Sequence, residues 1–342
     1  MAIDEIVGDS IDRAINIEMR FRVGLPRGVT YPLYEAARTK QKKPLAWLAA
    51  KLLKDSIKPG DNVFVITGAG TPPGLPAGET DGPPGAAAIA RAIEFGLGGK
   101  PILISEERNM PAVIKSTEAA GVAVYDEELF KQRRSCAMAI NFPVGDAAGK
   151  KAAAALIKKY KPAAMIFIEK VGPNIKGVYH SIMGTPRTPD KIASAYHLAD
   201  QAKAAGIPTI GIGDGGNEIG CGLIKEAVAE IQPFGKDCGC PCHGGVGTVT
   251  ECDVLVFAAV SNWGAYGIAA ALAGHLGDRE ILHDEATELR IVQASVDGGA
   301  MDGAYSRLIP YVDGTSDKMQ AALITMLHQI VENGLKEYDR GF

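Results

Sequence analysis

The sequence predicts an α/β protein: a mostly parallel sheet with helices on both faces, flanked by helical N- and C-terminal extensions. The first observation behind this is an alternation of short apolar runs with alanine-rich helical stretches. The second is that polar residues gather where the apolar runs end, which is where open α/β sheets carry ligands. The runs are Asn62–Thr67, Pro101–Ser105, Val122–Tyr125, Ala137–Asn141, Ala163–Glu169, Thr209–Gly213 and Asp253–Ala259. Near-continuous apolar character is what strands covered on both faces require. Helical patterns at Gly85–Leu97, Ala147–Tyr160, Lys191–Ala205 and Glu218–Ile231 fall between several of them. Residues 1–58 are more polar and helix-leaning, and residues 279–342 hold two helical patterns and no strand pattern. The chain is therefore expected to divide into an N-terminal extension, an α/β core over 59–278 and a C-terminal extension packed on it.

Composition narrows the class of partner. With 342 residues, 46% of them hydrophobic and 22% charged, the chain can bury a sizeable core. A net charge of −4 offers no general attraction for nucleic acid or anionic membrane. No apolar stretch approaches the ~20 residues of a membrane span. The start, MAIDEIVGDSIDR, has neither the apolar core of a signal peptide nor the Arg/Ser bias of a transit peptide. A cytoplasmic protein with six reduced cysteines is expected, acting on a small molecule and compatible with a homo-oligomer.

The strand ends carry the candidate chemistry. Asn62–Thr67 leads into GAGTPPGLPAGETDGPPGAA, which holds Glu79 and Asp81 just before a helix. A loop of that length in a compact core usually has a function, which weighs against the plainer reading of Asp81 as a helix cap. Ala163–Glu169 closes on Glu169, which must be exposed, bound to a metal, or paired, with Lys170 and Lys176 the nearest cations. The next segment carries Tyr179 and His180; the histidine suits a general acid or base, a ligand, or an ordinary loop position. Thr209–Gly213 leads into Asp214, Gly215, Gly216, Asn217 and Glu218. There Asp214 or Asn217 caps a following helix, or the glycine amides hold a substrate carboxylate. After Asp253–Ala259 come Ser261, Asn262 and Trp263, either a binding loop or, for the aromatic, core.

Two further patterns need weighing. Cys238, Cys240, Cys242 and His243 form CGCPCH, whose thiols and imidazole would in principle close a zinc site. The spacing lacks the gaps of familiar structural sites, and a solvent-exposed or redox-sensitive loop is the stronger expectation. GAGTPPG begins like a dinucleotide loop, but prolines follow and no GxGxxG runs into a helix, which disfavours a dehydrogenase.

Taken together and in order, ETDGPPGAAAIARA, IEKVG…GVYHSIMG, IGDGGNEIGCG and VSNWGAYG resemble the signature segments of the D-glutamate cyclase family. The resemblance runs from about Asn62 to Ala273; the Gly235–Gly247 loop and the stretch RFRVGLPRGVTYPLYEAARTK are not among the motifs that carry it. It implies a manganese-dependent hydro-lyase interconverting D-glutamate with 5-oxo-D-proline and water. Hard oxygen ligands suit manganese or magnesium, with Asp214, Glu218 and Glu79 as candidate metal ligands. Glu169 or Asp81 would take the ammonium proton, and Tyr179 or His180 would protonate the leaving oxygen. Gly215, Gly216, Asn217, Ser261, Asn262 and Trp263 would bind substrate, with Arg22, Arg27 and Arg38 as candidate carboxylate clamps. The alternatives are a related cyclase or hydro-lyase on another dicarboxylate or lactam, and a non-catalytic protein binding an amino acid or nucleotide.

Overall fold

The computed structural model describes residues 3–19 and 26–336. In chain order its strands are β1 (Asn62–Thr67), β2 (Lys100–Ser105), β3 (Val124–Tyr125), β4 (Ala137–Asn141), β5 (Ala164–Ile168), β6 (Tyr179–His180), β7 (Pro186–Arg187), β8 (Thr209–Gly213), β9 (Val254–Phe257), β10 (Tyr311–Val312) and β11 (Thr315–Ser316). Seven of them form one sheet in the order β3-β4-β2-β1-β5-β8-β9. Every pairing in that sheet is parallel. The seven apolar runs are thus its seven strands, some trimmed by a residue or two.

Alternation along the strands sorts side chains between two faces. Val63 and Val65 of β1, with Ile166 and Ile168 of β5, enter one core cluster, while Phe64, Ile66, Met165 and Phe167 enter the other. The second face is covered by helices Asp146–Tyr160 and Tyr196–Ala205, which contribute Ala153, Leu198 and Ala202. The first face carries helix Ser261–Leu276, buried from Ser261 through Ala273. A helix apolar all round needs cover on all sides. Helices Ile3–Ile15, Leu45–Ser56, Pro83–Arg91 and Asp317–Leu335 all pack on it.

Some local expectations change. The helix expected over Gly85–Leu97 begins at Pro83 and passes into a π-helical turn at Ala92–Gly96. The helix expected from Glu218 begins only at Lys225, after the 3₁₀ turn Gly222–Ile224. Residues 214–221 are held open by pairings of Glu218 with Val171 and of Gly220 and Cys221 with Glu251. The C-terminal stretch has its two helices, Glu285–Asp297 and Asp317–Leu335, but between them β10 and β11 form an antiparallel hairpin.

The connections give the sheet a switch point. From β1 the chain turns to β2 on one side, and from β5 it turns to β8 on the other, while β1 and β5 lie side by side. A crevice therefore opens at the carboxyl ends of β1 and β5. Glu79 and Asp81 follow the first strand and Glu169 the second.

Candidate active site

Glu169 is the first residue past β5 and has φ +49, a left-handed conformation that a glutamate rarely adopts. Its Oε2 accepts from the Ser261 hydroxyl at 2.6 Å. Burial is the main reason its carboxyl is held well above the usual carboxylate range, with Asp214 and Glu218 adding to the effect. Lys170 does not pair with it. That lysine is buried and reaches Glu106 at 2.5 and 2.6 Å and the Gly68 carbonyl at 2.9 Å, tying the exits of β1 and β5 together beneath the crevice.

The turn after β8 delivers the other carboxylates. Gly216 has φ +108, and its amide and that of Gly215 donate to Glu218 Oε2 at 2.8 and 3.3 Å. These amides aim a carboxylate and are not offered to substrate, which corrects the expectation for Gly215 and Gly216. Burial lifts the Glu218 carboxyl, and those same amides pull it back down. Asn217 donates to the His180 carbonyl at 3.1 Å, while its buried Oδ1 has no partner and the residue lines the cleft. Carboxylate oxygens of Glu169, Asp214 and Glu218 lie within 4.8 Å of one another. Asp214 shares a second such group with Asp81 and Asp313.

Asp81 caps a helix, but not the one that follows it. Its carboxylate accepts from the backbone amides of Ser261 and Asn262 at 3.0 and 2.8 Å, at the start of the buried central helix. Asn262 returns the tie: its Oδ1 accepts from Gly82 and Gly85, both at 2.8 Å, and its Nδ2 donates to the Thr80 carbonyl. Asn262 is thus a strut and not a substrate contact. Trp263, fully buried in the core, donates to Gln320 Oε1 at 2.6 Å and is also removed from the substrate set. Of that trio only Ser261 reaches a site carboxylate with its side chain.

Tyr179 and His180 are not aimed at the cleft. Tyr179 packs with Ala69, Val171 and Ile192, and burial pushes its phenol up to about 12. The His180 ring is turned to sulfur, with Nε2 3.3 Å from Cys240 Sγ and 3.8 Å from Cys242 Sγ. Both proton-donor expectations are therefore corrected by packing.

Three residues that sequence reasoning passed over complete the cleft. Arg187, from β7, lines it, and so do Gly303 and Asp313 from the segment before the last helix. Glu79 stands among them. Burial, with Asp313 second, pushes its carboxyl up to about 8, and Arg187 opposes the shift. A Cβ on Gly303 would fall 2.4 Å from Glu79 Oε2, so a larger residue there would shift that carboxylate. The missed signals are turn sequences, MDGAY and VDGT, which place glycine beside aspartate between two helical patterns. Of the arginine clamps read from sequence, Arg27 is exposed and Arg38 sits 3.9 Å from Asp9, neither of them lining the cleft; Arg22 is outside the described residues.

A switch-point crevice walled by clustered carboxylates invites comparison with known proteins. The chain matches the family described as D-glutamate cyclase-like, C-terminal, over residues 31–328. It belongs to that family. The match takes in the hairpin with Arg187 and, beyond the region of motif resemblance, the segment with Gly303 and Asp313. The chain is also similar to the mitochondrial D-glutamate cyclase of Homo sapiens, with 30% identity over 232 residues, 65% of this chain and 34% of the human protein. It spans about a third of the length of that relative. No helix among the described residues is long and apolar enough to cross a membrane.

The donor set of this family member fits a hard divalent cation. Several carboxyl groups forced above their ordinary range by burial and by one another gain from a bound positive charge, and all the donors are oxygen.

Proposed function

We propose that the chain is a cyclase-type hydro-lyase, assisted by a divalent cation such as manganese or magnesium, that interconverts D-glutamate with 5-oxo-D-proline and water. The observation carrying this reading is the Glu169–Asp214–Glu218 cluster facing a cleft that Arg187 also lines. Asp214 and Glu218, with Glu79 or Asp313 nearby, would hold the cation. When bound, it would polarise the substrate's γ-carboxyl group and offset charge developing on oxygen.

The remaining work falls to the chain. Arg187 suits a planar grip on the substrate α-carboxylate. Ring closure makes a C–N bond and releases the γ-carboxyl oxygen as water, so nitrogen gives up two protons and that oxygen receives both. Glu169 is the group suited to carry them. Its pKa is lifted by burial, which makes it a stronger base when ionised, and Ser261 orients it from behind. The unpartnered Oδ1 of Asn217 offers an acceptor to the ammonium or lactam N–H. Holding amine and carboxyl together in near-attack geometry supplies the rest.

The test is a chiral assay of purified protein with defined divalent cation, using D- and L-glutamate and both 5-oxoprolines. Interconversion of D-glutamate and 5-oxo-D-proline is expected. Thermal stabilisation by these compounds without turnover would mark a binding protein instead and overturn the reading.

A further inference from the structure

The cysteine loop is the largest chemical feature that the acidic cleft does not use. Cys238, Cys240 and Cys242 alternate along it, and the chain folds so that their sulfurs face one another. Sγ–Sγ distances are 3.2 Å for Cys238–Cys240, 3.4 Å for Cys238–Cys242 and 3.3 Å for Cys240–Cys242. None is a disulfide, whose sulfurs lie at about 2.05 Å. The distances are also shorter than the ~3.5–4.0 Å at which even carbon atoms rest in contact.

A fourth donor completes the group, and it is not the adjacent histidine. His243 is exposed and its Nδ1 meets the Asp237 carboxylate at 3.1 Å. His180, from β6, is fully buried and points Nε2 into the sulfurs, so that all four ligand atoms lie within 4.8 Å of one another. Thiolates about 2.3 Å from a common tetrahedral centre stand roughly 3.8 Å apart and an imidazole nitrogen roughly 3.5 Å from each, so the sulfurs need open by only about half an ångström to hold an ion.

The surroundings suit thiolates. The Gly244 amide donates to Cys242 Sγ at 3.4 Å, the Cys242 amide to Cys240 Sγ at 3.5 Å, and Asn174 Nδ2 reaches Cys242 Sγ at 3.5 Å. Such donors to ligand sulfur are the usual second layer of a metal–thiolate centre. Cys238 and Cys240 are buried and Cys242 half-buried, contrary to the solvent-exposed loop expected from sequence.

We propose that His180, Cys238, Cys240 and Cys242 form a closed structural zinc site. Three soft thiolates and one imidazole select zinc over the hard cation of the acidic cleft, and four protein ligands leave no open position for chemistry. The site joins the Gly235–Gly247 loop to the β6–β7 hairpin. That hairpin supplies Ser181, Ile182, Met183 and Arg187 to the cleft wall, and the His180 carbonyl receives Asn217. Zinc here would set the position of that wall without touching substrate.

The experiment uses the full chain, purified reduced and without chelator. About one zinc per chain is expected, released to a colorimetric chelator only when the thiols are titrated with a mercurial. Cobalt(II) in its place should give thiolate charge-transfer absorption and the visible bands of a tetrahedral centre. His243→Ala should retain both signals, while His180→Ala and Cys240→Ser should lose the tetrahedral spectrum. The wild-type readouts stand even if those variants fold poorly. Absence of zinc together with only octahedral cobalt bands would overturn the proposal, as would loss of the signals in His243→Ala. A Cys–Cys disulfide in the protein as purified would do the same.

Discussion

The Ser261 hydroxyl lies 2.6 Å from Glu169 Oε2, linking the first residue of the buried central helix to a left-handed glutamate at the end of β5. The same helix start is held from the other side by Asp81. One helix N-terminus thus aligns residues from two loops that are distant in sequence. Removing the hydroxyl should leave the fold intact and loosen one carboxylate. Ser261→Ala is predicted to lower kcat about tenfold with KM nearly unchanged, the loss of one hydrogen bond to a charged group. Glu169→Gln should lower it at least about 100-fold. Equal turnover of wild type and Glu169→Gln in the chiral assay would remove Glu169 from the reaction.

Arg187 is the residue on which substrate affinity should depend. Arg187→Ala is expected to raise KM by roughly 10–100-fold, the usual weight of a charge-assisted contact. Arg187→Lys should recover part of this, because it keeps the charge and loses the planar fork. Arg38→Ala, whose partner is Asp9, should leave KM alone.

Asp214 belongs to both carboxylate groups, and cation binding should be most sensitive to it. Calorimetric titration with manganese is expected to show at least a tenfold weaker affinity for Asp214→Asn than for wild type. Glu218→Gln should also weaken binding, since it trades an amide-aimed carboxylate for a neutral group. Wild-type affinity in both variants would move the cation elsewhere.

Trp263 makes the opposite forecast. Its indole N–H satisfies Gln320 in a fully buried setting. Trp263→Phe leaves that acceptor unpaired and should cost about 1–3 kcal/mol in chemical denaturation. KM should not change; a large KM effect would return the tryptophan to the substrate set.

Asp12 sets a pH dependence far from the cleft. Burial raises its carboxyl to about 7, although the Leu45 and Ala46 amides donate to it at 2.6 and 3.0 Å. The folded state therefore binds a proton that the unfolded chain, with an ordinary aspartate, releases near pH 4. Stability from this group is greatest below pH 4 and falls as pH rises to about 7. Asp12→Asn, which mimics the protonated acid, should flatten that part of the curve. Denaturation midpoints of both proteins at pH 5 and pH 7.5 check it, and parallel shifts would refute the assignment.

The layered frame and half of the site are legible in the chain alone. The strand runs are apolar on both faces because both faces are covered, so composition alone marks them. Parallel strands then put their carboxyl ends on one rim, which brought Glu79, Asp81, Glu169, Asp214 and Glu218 together before any contact was known. Which groups face the cleft is set by long-range packing. Asn262 and Trp263 carry the same side chains whether they bind substrate or brace a helix, and packing against Thr80, Gly82 and Gln320 chose the second. Arg187 and Asp313 sit in short hairpins whose direction no periodicity encodes. His180, 60 residues from Cys240, meets the sulfurs in place of neighbouring His243 because the β6–β7 hairpin folds inward while His243 stays in solvent. Chain proximity specifies strands and turns; long-range packing specifies partners.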